Sequence, residues 1–407
     1  MTVDLGLPML IQKLSDHWLK KSTEMPADMV DLTLFSGINV RKLSMNSRQR
    51  TTNAMVGKTV DRPPCVPLID LSYAAAVAGI DVSQCFLNPA KHAEALAEVL
   101  QRHPEIDGLS VNISLDDNII LRHTTEKDRH IVQTTGGLTW NVPFNDVGSV
   151  KETEIKTFDD PGIDEDDPFS PGIINTLRAL PAGIRHNYFI NAGVTGAFSQ
   201  VAFLMGLENV MLASVDNPSG LLGAIEKRLP FALRWIENMA ELDPAGIWIG
   251  EGVASASLIS PDTYRKFVLP FEQVLFDRLR QLKIPGILHI CGRLDGILDI
   301  IPESRCDCLE LDWQVDIAEA AKRIGDQVAL KGNLNTSILV QADEREIYTL
   351  SRRTIEKASR AGGFILSSGC CLGRDTPPEN VDAMAMAAVD SRENKKSRVS
   401  FNSFDSC

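Results

Sequence analysis

The sequence predicts an α/β fold, a (β/α)8 TIM barrel with a helical segment before it and an insertion after the second strand. Three observations carry this. Short apolar, β-rich runs alternate with helical patterns along most of the 407 residues, and alternation on that scale means a parallel sheet. Eight such runs can be marked out, the number that closes a barrel. Run after run also ends in a polar or metal-binding residue: Asp70, Asn112, Asn191, Glu251, His289, Cys291, Asp312, Asn333 and Cys370. Barrel chemistry sits at the C-terminal ends of the strands.

Residues 1–50 form the N-terminal extension, where Leu10, Ile11, Leu14 and Trp18 share one helical face. Asn46 to Gly57 is the helix that leads into the barrel domain, residues 51–390. Pro64 to Asp70 is the first strand, Pro89 to His103 a helix, and Asp107 to Ile113 the second strand. The rhythm then breaks over about 114–170. There, Gly136-Gly137 between β-prone runs predicts a hairpin over Ile131 to Val142. Lys151 to Pro168 follows as a solvated acidic loop with eight carboxylates. The alternation resumes with strands Tyr188 to Gly193, Gly246 to Glu251, Pro285 to Cys291, Cys308 to Asp312, Gln327 to Leu334 and Gly363 to Gly369. Asn217-Pro218 and Ser260-Pro261 open helices with Pro in the first turn. Pro378 to Ala388 is the closing helix, and the polar stretch 391–407 is expected to be a flexible tail.

Composition narrows the function. Hydrophobic residues make up 44%, enough for a large core, and the formal charge of −13 argues against a nucleic-acid partner. No run approaches the roughly 20 unbroken apolar residues of a membrane span. The N-terminus lacks a basic stretch followed by an apolar one, so the expected location is cytoplasmic. The eight cysteines are then expected to be thiols or metal ligands.

His289-Ile290-Cys291 closes one strand, and Cys370, followed by Cys371, closes another. If both strands lie in one parallel sheet, an imidazole and thiols converge at the mouth. Three such ligands with one position left open describe a catalytic rather than a structural zinc site. The alternative is a buried histidine with ordinary core cysteines. Cys306 and Cys308 lie at the opposite end of a strand and are expected to be buried thiols. His123, His130 and His186 are expected at the surface.

Residues from about 46 to 390 resemble the uroporphyrinogen decarboxylase superfamily, and within it the zinc-dependent corrinoid methyltransferases. The carrying stretches are Ser260-Pro261 with Phe267-Val268-Leu269-Pro270, then His289-Ile290-Cys291-Gly292, Lys331-Gly332-Asn333-Leu334-Asn335, Gly369-Cys370 and Thr376-Pro377-Pro378-Glu379-Asn380. The resemblance implies zinc held by His289, Cys291 and Cys370, with Cys370 fitting the last position better than Cys371. It implies methyl transfer between a small methylated substrate and the cobalt of a corrinoid. No histidine lies in a DxHxxG context, so the corrinoid (cobalamin) is expected on a separate protein that docks at the barrel mouth. A homodimer is a further expectation.

Glu251 is expected as a fourth zinc ligand or as a group that orients His289, with helix capping as the bland alternative. Asp312 and Asn333 are expected to contact substrate or corrinoid, or to tie down loops. Asn112 and Asn191 are assigned to cofactor binding. Demethylation of a methyl ether or similar donor is favoured. A methylcorrinoid-to-thiol methyltransferase and a non-catalytic zinc-binding barrel remain as alternatives. A uroporphyrinogen-type decarboxylase is a third, although its substrate needs cations and Pro63 to Ala90 contains no Lys or Arg.

Overall fold

A computed structural model describes residues 45–111, 114–115, 120–134, 139–144, 149–150 and 169–401. The expected N-terminal helix, the acidic loop 151–168, Asn112 and residues 402–407 lie outside the described residues. No single described helix is long and apolar enough to cross a membrane.

The strands in chain order are β1 (Gly108–Val111), β2 (Ile120–Thr125), β3 (Arg129–Thr134), β4 (Thr139–Pro143), β5 (Ser149–Val150), β6 (Phe189–Thr195), β7 (Gly246–Gly250), β8 (Gly286–Ile290), β9 (Cys308–Leu311), β10 (Ala329–Leu334) and β11 (Phe364–Ser368). Seven of them form one parallel sheet in the order β1-β6-β7-β8-β9-β10-β11. The first expected strand supplies the eighth stave without forming a regular ladder. Cys65 bridges Leu366 in parallel. On one side Val66 N donates to Leu366 O (2.9 Å), and on the other Asp107 N donates to Cys65 O (2.6 Å). Pro63, Pro64 and Pro67 remove the donors that a longer ladder needs. This segment therefore closes the barrel between β11 and β1 with few hydrogen bonds.

The insertion is a four-stranded antiparallel sheet, β2-β3-β4-β5. The expected hairpin is its β3–β4 pair. Trp140 from β4 is buried and lies 5.8 Å from Phe86 and 6.2 Å from Phe203, ring centre to ring centre. The insertion is thereby seated against helices Val82–Leu87 and Ala197–Met205.

Two apolar cores hold the barrel. The larger lies between the sheet and its helices, where amphipathic helices such as Pro89–Arg102 bury one face. The smaller lies inside the barrel and contains Val66, Phe189, Ile287, Cys308, Ala329 and Ile365. Side chains alternate along a strand, so the next residues facing inward are Ser110, Asn191, Trp248, His289, Glu310, Lys331 and Ser367. The interior turns from apolar to polar within one step along each strand.

At the N-terminal end of the barrel, Arg50 donates to Asp61 (2.6 and 3.0 Å) and to Asp107 (2.6 Å). Arg62 donates to Asp107 at 2.7 Å, and Cys65 N donates to the same carboxylate at 2.8 Å. Cys306 and Cys308 are buried as expected, and burial pushes the Cys306 thiol up to about 12. The closing helix runs Pro378–Phe401, past Asp390 where the sequence analysis placed the start of a tail.

Candidate metal centre

Strand β8 is buried along its whole length, and its inward positions are Ile287 and His289. Cys291 follows at once. Gly292 adopts φ +96°, a backbone conformation that side chains other than glycine rarely tolerate, and this turns the chain directly after the thiol. Cys370 stands two residues past β11. The donor atoms of His289, Cys291 and Cys370 lie within 4.8 Å of one another. Residues 79 positions apart in the chain therefore meet, because β8 and β11 belong to the same closed sheet.

His289 Nε2 is 3.0 Å from Cys291 Sγ, so this nitrogen faces the thiols. The other nitrogen, Nδ1, is 3.1 Å from Glu310 Oε2. That is an ion-pair distance, although Nδ1–H does not point squarely at the oxygen. Trp248 Nε1 donates to the same oxygen at 2.8 Å, and its ring stacks on His289 with centroids 5.2 Å apart. Lys331 Nζ donates to Glu310 Oε1. A carboxylate behind a ligating imidazole fixes its tautomer and its orientation. Glu310 and Lys331 were missed by reading strand ends alone. The signal was present: a Glu and a Lys in the middle of otherwise apolar parallel strands, which ordinarily carry continuous Val, Ile and Leu.

Electrostatics follow the geometry. Burial opposes the imidazolium of His289, but its interactions with Cys370 and with the Glu310 carboxylate outweigh it and raise the pKa to about 9. Burial also opposes ionisation of Glu310, yet Lys331 first and His289 second hold it at about 2. The Cys370 thiol is held far below the ordinary range by hydrogen bonds from Cys291, Cys371 and His289. Cys291 is pushed up by Cys370 and by burial. The cluster therefore favours a thiolate at Cys370, the form in which a cysteine binds metal.

The remaining predicted residues are placed as follows. Glu251 is fully buried but is not one of the three clustered donors. Its Oε2 accepts from Ser199 N (2.9 Å) and Ser199 Oγ (2.7 Å). Helix Ala197–Met205 has Gly196 at its N-cap, with no side chain to cap it, and Glu251 supplies the missing acceptor from the neighbouring strand. A Cβ on Gly196 would lie 2.0 Å from Glu251 Oε1, so the carboxylate occupies the space that glycine leaves. Oε1 itself has no hydrogen-bond partner. Burial raises the Glu251 pKa to about 7 against the Ser199 hydrogen bonds.

Asp312 Oδ1 accepts from Gln314 N (2.9 Å), and Asn333 Nδ2 donates to Asp312 O (3.0 Å) and Val315 O (2.7 Å). These two side chains tie down the loop after β9. Asn191 is placed differently from the expectation. β6 extends to Thr195, so Asn191 lies within the strand, inside the barrel and fully buried. Cys371 faces Asp70, which caps helix Leu71–Ala78 through Ser72 N and Tyr73 N. His123 and His186 are exposed, and His130 is half-buried against His123 at 2.9 Å.

The chain is similar to known proteins in sequence and in fold. A uroporphyrinogen decarboxylase of Trichodesmium erythraeum is 33% identical over 131 residues, 31% of this chain and 36% of that protein. A methylcobamide:CoM methyltransferase of Methanosarcina barkeri is 25% identical over 225 residues, 53% of this chain and 62% of that protein. The matched stretches thus span less than two thirds of these relatives' length. A solved methyltransferase from Methanosarcina mazei shares the fold, with a TM-score of 0.72 at 19% identity over 86% of this chain and 99% of that chain. The family model for uroporphyrinogen decarboxylase (URO-D) matches residues 46–391. With that span covering the whole barrel, the chain belongs to the URO-D family.

Proposed function

We propose that this protein is a zinc-dependent methyltransferase. It moves a methyl group between a small methylated substrate, a methyl ether or similar donor, and the cobalt of a separate corrinoid protein. The single observation that carries the reading is the convergence of His289, Cys291 and Cys370 at the strand ends. Two thiols and an imidazole are the donor chemistry that zinc prefers, and three ligands leave a position for substrate. When bound there, zinc supplies a Lewis acid for the heteroatom that carries or receives the methyl group.

The chain's own groups do the rest. Glu310, clamped by Trp248 and Lys331, keeps Nδ1 of His289 engaged and leaves Nε2 toward the metal position. Glu251, with one free oxygen and a pKa of about 7, is the group we assign to hold the proton for a departing alkoxide. Asp312 and Asn333 fix the loop at the rim. Decarboxylation of a polycarboxylate is the weaker reading. Among the described strand residues facing the interior, Lys331 is the one lysine or arginine, and Glu310 already matches its charge.

The test is methyl transfer by the purified, zinc-loaded protein. It should carry no cobalt of its own, and transfer should start only when cob(I)alamin or a corrinoid protein is added. Cobalamin bound tightly to the isolated chain, or transfer that ignores added corrinoid, would sink the reading.

A further inference from the structure

The metal site does not account for every polar residue of the barrel interior. Ser110 and Asn191 are register partners on β1 and β6, and Ser367 faces inward from β11. All three are at most 1% exposed. Among the described residues, Ser110 Oγ, Asn191 Oδ1, Asn191 Nδ2 and Ser367 Oγ have no hydrogen-bond partner. Buried polar groups in folded proteins are nearly always satisfied, and an amide with both ends unmet costs about 1–3 kcal/mol per group. Four such atoms facing one interior call for something that both donates and accepts.

The charge around them limits what that is. The one lysine or arginine among the described inward-facing residues, Lys331, is already paired with Glu310. A sulfonate, phosphate or carboxylate placed against Ser110, Asn191 and Ser367 would be desolvated with no free counter-charge. A neutral hydroxyl, carbonyl or amide meets no such cost, and Asn191 both donates to it and accepts from it.

We infer that Ser110, Asn191 and Ser367 form a polar compartment beneath the metal position that binds the uncharged, hydrogen-bonding end of the substrate. This rests on the methyltransferase reading for which molecule enters, and not for the compartment itself. It makes the substrate class a small methyl donor with a neutral polar end rather than an anionic one.

The test uses the full-length, zinc-loaded chain and two probes that differ only at one end, 2-methoxyethanol and 2-methoxyethanesulfonate. Dissociation constants are read by ligand-observed NMR titration. The neutral probe is expected to bind more tightly than the sulfonate. Asn191→Leu is expected to weaken the neutral probe by about tenfold or more, with zinc content unchanged. Ser367→Ala, a smaller change, guards against misfolding of the leucine variant and is expected to weaken binding in the same direction. Preference for the sulfonate, no binding of the neutral probe, or equal affinity in both variants overturns the inference. A protein that holds no zinc yet binds the neutral probe through Asn191 would defeat the methyltransferase reading and leave the compartment standing.

Discussion

The two ends of the barrel solve the same problem in opposite ways. At the N-terminal end, Arg50, Asp61, Arg62 and Asp107 bury charge and pair it, and Asp107 also accepts from Cys65 N at 2.8 Å. At the C-terminal end, three potential ligands sit with their donor atoms within 4.8 Å of one another, and further inside the barrel an asparagine and two serines have no partner among the described residues. A closed network with balanced charges supports the fold. Unmet donors and acceptors in the interior call for a ligand. Under the proposed function, this difference falls where barrel chemistry generally sits, at the strand C-termini.

Three perturbations probe that contrast. The largest effect is expected at the N-terminal end. Asp107→Ala takes the carboxylate from buried Arg62 and leaves buried Arg50 with Asp61 alone, and should cost about 3–5 kcal/mol of unfolding free energy by denaturant titration, leaving zinc content in the folded fraction unchanged. Loss of zinc with little loss of stability would mean that the two ends are not separable as described.

An intermediate effect is expected behind the metal. Glu310→Gln removes the carboxylate that faces His289 Nδ1 at 3.1 Å. Zinc affinity measured against a competing chelator should fall by about 10–100-fold, the usual consequence of losing such a support. Unchanged affinity would show that His289 is oriented by packing alone.

A pH-dependent effect is expected in helix Leu269–Leu282. Glu272 is fully buried and accepts from Tyr264 Oη, and burial with the nearby Glu251 charge raises its pKa from 4.5 to about 8. The folded protein then holds a proton that the unfolded chain releases. The associated stability is complete below about pH 4.5 and is lost as pH rises through 8. Melting temperature should decline over that window, with Glu251 adding to the decline as its pKa of about 7 is passed. Glu272→Gln should flatten the decline. An identical pH profile in the variant would contradict the assignment.

The difference between the ends also explains what could be foreseen. The alternation of strands and helices and the strand-end positions of His289, Cys291 and the Cys370-Cys371 pair were legible because strand termini punctuate an apolar rhythm, while the choice of Cys370 over Cys371 rested on the family resemblance. The first stave was placed correctly by its apolar run, but Pro63, Pro64 and Pro67 kept it from forming the regular strand expected there. Glu310 and Lys331 escaped because a strand interior was treated as core, while a charged pair can live there only when two neighbouring strands face each other. Asn191 was placed at the mouth because β6 was ended at Gly193. The two further residues to Thr195 move it inside, and only closure of the barrel shows that nothing there meets it.

The central claim is that His289, Cys291 and Cys370 hold a single zinc ion, and elemental analysis of the purified protein tests it most directly. The expected result is about one zinc per chain in the wild type, none in Cys291→Ala or Cys370→Ala, and full retention in Cys371→Ala, whose thiol is not one of the three clustered donors. A wild-type protein without zinc, or one that keeps its zinc in Cys370→Ala and loses it in Cys371→Ala, would contradict the account.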